Sequence, residues 1–149
     1  MKLLNNFNIN NMRKSLFVLA LLLVMGSTAF AQSEANSGDQ PNPTSIGMVI
    51  YSEDVETVWN ALRLANFAVN KGDTVQIFLL GKGVVLDSLA KKNEDIKTQS
   101  DAFINGGGVI LGCGTCLRSR NNLHPQVCKM SSLSDLYDIV RRNKILLTF

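Results

Sequence analysis

The sequence predicts an α/β fold built on a mainly parallel sheet with helices on both faces. From residue 46 onward, short apolar runs alternate with segments in which apolar residues recur every three or four positions. The apolar runs are continuous, which is typical of strands buried on both faces. Because alternating strands and helices are joined by right-handed crossovers, they are expected to form a parallel sheet.

The strands and the first helix follow from local patterns. Five strands are predicted, at residues 46–51, 74–80, 109–111, 127–130 and 144–149. Apolar residues of helical period lie between Val55 and Val69, and Ser52 or Asp54 is available as the N-cap of this helix. Gly72 then provides a left-handed stop before the second strand.

The remaining helices separate the later strands. Two helical pieces, at about 84–92 and 94–105, precede the third strand. A further helix, capped by Ser132 or Ser134, extends through Arg142. The aromatic residues expected in the core are Trp59, Phe67, Phe78 and Phe103.

The first 31 residues have the three parts of a secretory signal peptide. The basic stretch Met12-Arg13-Lys14 precedes an apolar run from Leu16 to Met25, and Ala29-Phe30-Ala31 supplies the site that a signal peptidase cuts. A membrane anchor is the alternative interpretation, but the apolar run is shorter than the about 20 residues that a bilayer requires. We therefore expect cleavage near Ala31 and an exported protein, periplasmic or secreted.

The predicted organisation is a signal peptide at 1–31, a flexible leader at 32–45 and one α/β domain at 46–149. The leader is rich in Ser, Asn, Gly and Pro and has no aromatic residue, which is typical of a segment that buries no core. The residues that follow the cleavage site correspond to about one domain.

Removal of the signal peptide changes the charge of the protein. The full chain carries fifteen Lys and Arg residues against twelve Asp and Glu, but Lys2, Arg13 and Lys14 lie in the signal peptide. The mature chain then has twelve charges of each sign. Without a net charge it has no electrostatic reason to bind nucleic acid or an anionic membrane, and neither is expected as a partner.

Three cysteines, Cys113, Cys116 and Cys128, indicate where chemistry is to be expected. Exported proteins usually pair their cysteines, but an odd number leaves at least one thiol free, modified, metal-bound or cross-linked. Cys113 and Cys116 form a C-x-x-C motif, close enough for an internal disulfide in which one thiol resolves what the other has attacked. The motif comes late, after the third strand, so a thioredoxin fold is not expected.

Cys113 is the candidate nucleophile. It follows the third strand, and reactive groups of open parallel sheets gather beyond the carboxyl ends of the strands. If a helical turn begins at Thr115, free backbone N–H groups face the Cys113 side chain and favour its thiolate. Arg118 and Arg120 would add positive potential. Cys116 is the candidate resolving thiol, although packing in the core explains it equally well.

The cysteines also allow a zinc-binding interpretation. The side chains available as zinc ligands are Cys113, Cys116, His124 and Cys128. One C-x-x-C without a second matched pair supports a zinc site only weakly, so no metal and no cofactor are expected. Cys128 lies within the predicted fourth strand between apolar neighbours, which favours a position in the core. His124 is expected to be a loop residue.

Taken in order, these features resemble the DsrE/DsrF-like sulfur-transfer family, and its YchN-like members in particular. The resemblance rests on the order of elements, on a C-x-x-C after the third strand with Arg120 seven residues beyond Cys113, and on the terminal ILLTF. The opening strand and helix, IYSEDVETVWNALRLANFAVNKGDTVQIFLLGKGV, are also similar, and the likeness covers residues 46–149. Asn121 departs from the pattern, which has Gly after the Arg.

The resemblance implies a three-layer α/β/α sandwich with a five-stranded parallel sheet, assembled as a trimer or hexamer. It further implies that Cys113 carries sulfur as a persulfide, which it exchanges with a sulfur donor or acceptor, either a protein or a small thiol. The export signal is a second departure, because the sulfur relays of this family are cytoplasmic. The alternative hypothesis is a non-enzymatic binding or assembly module with a structural disulfide between Cys113 and Cys116.

Overall fold

The structure, a computed structural model, describes residues 42–149. The predicted signal peptide and the first ten residues of the predicted leader lie outside this range. The strands are β1 (Ser45–Ile50), β2 (Thr74–Leu79), β3 (Val109–Cys113), β4 (Lys129–Ser131) and β5 (Ile145–Thr148). The α-helices are α1 (Val55–Asn70), α2 (Leu86–Lys92), α3 (Glu94–Asn105), α4 (Gly114–Arg118) and α5 (Leu133–Arg142), and a 3-10 turn (Gly81–Val85) precedes α2.

The five strands form one sheet in the order β4-β3-β2-β1-β5, and every neighbouring pair is parallel. In the register of this sheet, Ile46 of β1 lies between Val75 of β2 and Ile145 of β5. This arrangement confirms the predicted α/β class, and the sheet is entirely rather than mainly parallel.

Helices lie on both faces because the chain changes direction once across the sheet. From β1 to β4 each strand is added beside the previous one, whereas β5 returns to the opposite edge, next to β1. Right-handed crossovers then place α1, α2 and α3 on one face and α5 on the other. Gly47 permits the close approach of α5, since a methyl group there would lie 2.7 Å from Ile139. The architecture is thus a three-layer α/β/α sandwich.

The core lies mainly between the sheet and the helices α1 to α3. Phe78 and Phe103 are fully buried, as predicted, and Trp59 is partly buried. The prediction for Phe67 was wrong, because this side chain is 61% exposed. The inward stripe of α1 is formed by Val58, Ala61, Leu62, Ala65 and Ala68. Phe67 lies outside that stripe, and its ring is 5.4 Å from the Lys71 ammonium group.

The helix ends use the signals that the sequence contains. The Asp54 carboxylate accepts a hydrogen bond from the Thr57 N–H (2.8 Å), which caps α1, and Gly72 adopts a positive φ of 94° after this helix. Ser132 begins α5 with a capping box, in which the Asp135 carboxylate accepts from the Ser132 N–H at 2.8 Å.

The domain begins slightly earlier than residue 46. Thr44 donates its N–H to the Asp73 carboxylate (2.8 Å), and its carbonyl accepts from the Thr74 N–H (2.9 Å). The last residues of the predicted leader therefore belong to the fold. Within residues 42–149, no helix has the length and apolar character required to cross a membrane.

Candidate functional site

Cys113 lies at the carboxyl ends of β3 and β4, two neighbouring strands after which the chain continues on opposite faces of the sheet. It is the last residue of β3 and pairs with Ser131, the last residue of β4. After β3 the chain packs on the face of α3, since a Leu117 methyl group is 3.0 Å from the position a Cβ would take at Gly112. After β4 it continues into α5 on the other face. Such a switch point, beyond the carboxyl ends of the strands, is the usual site of ligands and reactive groups in open α/β sheets.

The surroundings of Cys113 favour its thiolate. Burial, which leaves the residue 8% exposed, raises the pKa of the Cys113 thiol. Hydrogen bonding by the Cys116 thiol and by the backbone N–H groups of Cys116 and Thr115, together with the charge of Arg118, lowers it. The lowering effects prevail, so the pKa of Cys113 lies below its ordinary value. The helical turn was expected from Thr115 but begins at Gly114, and Cys113, its N-cap, makes no side-chain capping hydrogen bond of standard geometry. The N–H groups of Thr115 and Cys116 nevertheless act on the sulfur in the expected direction, since they lower the pKa of Cys113.

Cys116 has the opposite character. Its hydrogen bond to Cys113 and its burial raise the pKa of the Cys116 thiol, and the backbone N–H of Gly81 and the charge of Arg120 offset only part of that rise. The pair is therefore asymmetric, with Cys113 as the better nucleophile and Cys116 as a protonated partner that donates to it. All three cysteines are free thiols in the structure, which thus describes the reduced form.

The two arginines act on different thiols. The Arg118 guanidinium lies 3.4 Å from the Thr115 hydroxyl and adds positive potential at Cys113. Arg120 instead donates to the carbonyl of Cys116 at 3.2 Å, and its charge acts on the Cys116 thiol. Both predicted cations belong to the site, but Arg118 rather than Arg120 is the one that favours the nucleophile.

Asn121 adopts a left-handed backbone conformation, which glycine adopts most readily. Its φ is 55°, in the left-handed region that Asn tolerates better than most residues. Its N–H donates to the carbonyl of Arg118, and the N–H of Asn122 donates to that of Leu117, each at 3.0 Å. These two bonds form a Schellman-type end to α4. Asn121 therefore ends α4 in a conformation that glycine could also adopt.

Cys128 does not lie within a strand, and this prediction needs correction. The fourth strand was expected at 127–130, but β4 begins at Lys129, one residue after Cys128. The expected core position is confirmed, since Cys128 is 8% exposed. Burial, followed by the negative charge of Asp87, raises the pKa of Cys128 to about 12. This thiol is therefore a poor nucleophile at neutral pH.

The third cysteine is also separated from Cys113 by the sheet. The Cys128 sulfur is 2.7 Å from the position that a Cβ would take at Gly112. Consecutive residues of a strand point to opposite faces, so the side chain of Cys113 points away from Cys128. Cys128 also borders a groove of about 510 Å³ that is lined in part by Ile104 and Pro125.

The zinc interpretation finds no matching geometry in the described part of the chain. Between residues 42 and 149, no three His, Cys, Asp or Glu side chains converge as metal ligands would. His124 is an exposed residue of the connection between α4 and β4. Among the described residues, the His124 imidazole makes no hydrogen bond to either cysteine of the pair. The His124 carbonyl accepts a hydrogen bond from the Gln126 side chain at 2.9 Å.

One residue near the site has no counterpart in the sequence-based prediction. Asp87, in the first turn of α2, is 5% exposed, although nothing in its local sequence distinguishes it from a surface carboxylate. Its partners lie 35 to 40 residues further along the chain. Only the folded connection between α4 and β4 reveals them.

Comparisons of the sequence with known proteins give relatives of low identity. No protein-family model matches the chain. Over 88 residues the chain is 26% identical to the uncharacterized protein MJ0989 of Methanocaldococcus jannaschii, covering 57% of this chain and 77% of that protein. It is equally similar (26% over 88 residues) to the uncharacterized protein MK0008 of Methanopyrus kandleri, covering 57% of this chain and 73% of that one.

A solved structure extends the comparison to three dimensions. The chain is similar to the conserved protein of unknown function BT1422 from Bacteroides thetaiotaomicron, with a TM-score of 0.59 and 16% sequence identity. The match covers 71% of this chain and 95% of that one. What the protein shares with its structural relative is therefore the α/β fold.

Proposed function

We propose that the chain is an exported sulfur-handling protein in which Cys113 carries sulfane sulfur as a persulfide. The observation that supports this best is the asymmetry of the thiol pair at the switch point. Cys113 has a lowered pKa and Cys116 a raised one, so a single sulfur is prepared as nucleophile. The resemblance to the sulfur-transfer family points to the same cysteine.

The loading step is a two-electron displacement. The Cys113 thiolate attacks the outer sulfur of a polysulfide or persulfide donor, forming a new S–S bond while the S–S bond of the donor breaks. The electron pair of the broken bond leaves with the donor, which departs as a thiolate or a shorter polysulfide. No external oxidant or reductant is needed. The small exposed fraction of Cys113 suits a slender donor.

Two routes then remove the sulfur. An acceptor thiolate can attack the outer sulfur, so that Cys113 leaves as a thiolate and the protein acts as a carrier. Alternatively, the Cys116 thiolate attacks the Cys113 sulfur, which expels hydrosulfide and forms the Cys113–Cys116 disulfide. A dithiol or another two-electron reductant must then restore the pair. The raised pKa of Cys116 favours the first route while that thiol stays protonated.

Mass spectrometry of the mature protein tests the proposal. After exposure of the reduced protein to polysulfide at neutral pH, we expect additions of about 32 Da on Cys113, the mass of one sulfur atom. The Cys113→Ser variant should gain none, and the matched variant Cys128→Ala should load like the wild type. A folded wild-type protein that takes up no sulfur on Cys113 would contradict the proposal. Sequencing the N-terminus of the protein recovered from the cell envelope or medium tests export, with Gln32 expected as the first residue.

The second candidate, a binding or assembly module, is favoured by an apolar surface on the side of α5. We call this the α5 surface; its exposed members are Leu133, Tyr137, Val140 and Leu146. On α5 the first three recur at spacings of four and three, so they lie along one stripe that residues 42–149 do not cover. Copies of the same chain are the proposed occupants, as a trimer or hexamer.

Light scattering coupled to size exclusion tests the assembly. The wild type should elute as a multiple of the chain mass, whereas Tyr137→Lys should shift the mass toward a single chain. Leu64→Lys is the matched control, because Leu64 is an exposed apolar residue of α1 on the other side of the sheet. A monomeric wild type at micromolar concentration would rule the assembly out.

The redox state of the cysteine pair gives a second test of the binding module. If Cys113 and Cys116 form a structural disulfide and carry no sulfur, this disulfide will resist mild reduction in protein taken from its own compartment.

A further inference from the structure

Asp87 is a buried carboxylate that the sulfur chemistry does not use directly. It is 5% exposed and lies in the first turn of α2. Burying a charge is costly unless hydrogen bonds replace the lost water, so the contacts of this group indicate what the fold uses it for.

Three donors satisfy the Asp87 carboxylate, and all belong to the connection between α4 and β4. Oδ2 accepts from the side-chain amide of Asn122 at 3.0 Å and from the N–H of Gln126 at 2.9 Å. Oδ1 accepts from the N–H of Val127 at 2.8 Å. The carboxylate therefore ties both ends of the segment 122–127 to α2. Charge-assisted hydrogen bonds of this kind are among the stronger ones in proteins.

The Asn122 contact reaches the end of α4, the helix that contains Cys116 and follows Cys113. The N–H of Asn122 donates to the carbonyl of Leu117, so this residue is part of the left-handed end of α4. Its side chain meanwhile donates to Asp87. Because α4 is only five residues long, fixing its last turn also fixes its start, where Cys113 is the N-cap and Cys116 the third residue.

The other side of the link also leads to the thiols. Asp87 lies two residues after the 3-10 turn Gly81–Val85, and the backbone N–H of Gly81 acts on the Cys116 thiol by lowering its pKa. Asp87 thus joins the element that supplies Gly81 to the element that supplies Cys116. Both contacts depend on how these two elements are placed relative to each other.

We propose that Asp87 is a positioning residue for the cysteine pair, which holds α4 against the turn after β2 through Asn122 and the 126–127 backbone. It contacts neither sulfur atom. The role of Asp87 in sulfur transfer rests on the proposed function. Its effect on the reactivity of the two thiols is independent of that function. The same carboxylate keeps the residue before Cys128 in place and so keeps that thiol covered.

Site-resolved alkylation with iodoacetamide tests this proposal on the full mature chain. The variant Asp87→Asn keeps the size of the side chain. Its amide NH₂ group cannot accept the two hydrogen bonds that Oδ2 accepts from Asn122 and Gln126. We expect the pH profile of Cys113 alkylation to move to higher pH and its rate at pH 7 to fall at least threefold. Alkylation of Cys128 should accelerate at least tenfold. The control Asp101→Asn, which alters an exposed carboxylate paired with Lys97, should change neither.

A second variant covers the case in which Asp87→Asn does not fold. Asn122→Ala leaves the two backbone donors on Asp87 and removes only the contact to the end of α4. It should shift the Cys113 profile in the same direction by a smaller amount, without exposing Cys128.

The outcomes separate this inference from the proposed function. If Asp87→Asn folds and lowers only the melting temperature, or exposes Cys128 while the Cys113 profile is unchanged, the residue is merely structural and the inference is wrong. An unchanged profile in Asn122→Ala overturns it when Asp87→Asn cannot be obtained. Failure of the wild type to take up sulfur counts against the proposed function alone, because alkylation requires no sulfur donor.

Discussion

Gly112 packs so closely against Cys128 that the loss of stability caused by a larger residue can be estimated from the distances. A methyl group at residue 112 would lie 2.7 Å from the Cys128 sulfur, closer than real Cβ contacts come, and 3.0 Å from a Leu117 methyl group, tighter than most of them. Adding such a group to a packed core costs about 1–3 kcal/mol. Cys128→Ala alone removes one buried atom, about the size of a methylene, and costs about 1 kcal/mol.

The double variant should be more stable than the sum of these costs implies. With Ala at 128, the nearest atom of that residue to the new methyl group is its Cβ at 3.7 Å, an ordinary contact, and the methyl group fills the space left by the sulfur. Only the Leu117 contact remains tight. We therefore expect a favourable coupling of about 1–2 kcal/mol, within the range seen for residues in contact.

Urea unfolding followed by circular dichroism, with reductant present, measures all four proteins. For a domain of this size, 1 kcal/mol corresponds to about 4–8 °C in Tm, so the coupling should be visible in thermal melts as well. Additive losses, within about 0.5 kcal/mol, would refute the reasoning. A Gly112→Ala variant as stable as the wild type would also refute it, because the structure leaves no space for a methyl group at residue 112.

Three further predictions concern the thiols and the helix ends. Cys113 should be alkylated before Cys116 at neutral pH, and Cys116→Ala should raise the pKa of Cys113, because it removes the hydrogen bond of the thiol; a pH–rate profile with iodoacetamide measures both. Hydrogen bonds from Ser131 and Ser132 lower the pKa of Asp135 to about 2, so this carboxylate stabilises the fold above pH 4 and the stabilisation disappears as the pH falls toward 2. The stability difference between the wild type and Asp135→Asn should accordingly shrink on acidification, and a constant difference would contradict the assignment. Asn121→Val should cost about 1–2 kcal/mol in urea unfolding, since it places a β-branched side chain in left-handed geometry, whereas Asn121→Gly should be nearly neutral.

Much of the architecture could be predicted because its signals are local. The apolar runs that become β1, β2 and β5 and the polar caps at Asp54 and Ser132 act within a few residues of one another. Strand order is different, since the position of β5 next to β1 depends on a crossover that spans the whole sheet. The handedness of crossovers limited the possibilities without choosing among them.

The errors arose where a distant partner decides the local structure. The predicted start of β4 at Val127 was wrong, because the Val127 N–H is bound by Asp87 and not by a neighbouring strand. Phe67 also departs from the predicted core, because the spacing of the inward stripe of α1 excludes it. The cysteine pair itself was found because C-x-x-C is a local motif, whereas the burial of Asp87 depends on residues in another part of the chain.

The sheet also acts as a partition among the thiols. Three cysteines in an oxidising environment can form three different single disulfides, and only one of these joins the two residues of the C-x-x-C motif. The alternation of side chains along β3 places Cys113 and the Cys128 sulfur on opposite sides of this strand. A disulfide between these two cysteines therefore cannot form in the folded protein. If the chain is exported as proposed, Cys128 can therefore stay unpaired without forming a disulfide with Cys113, provided that folding precedes oxidation.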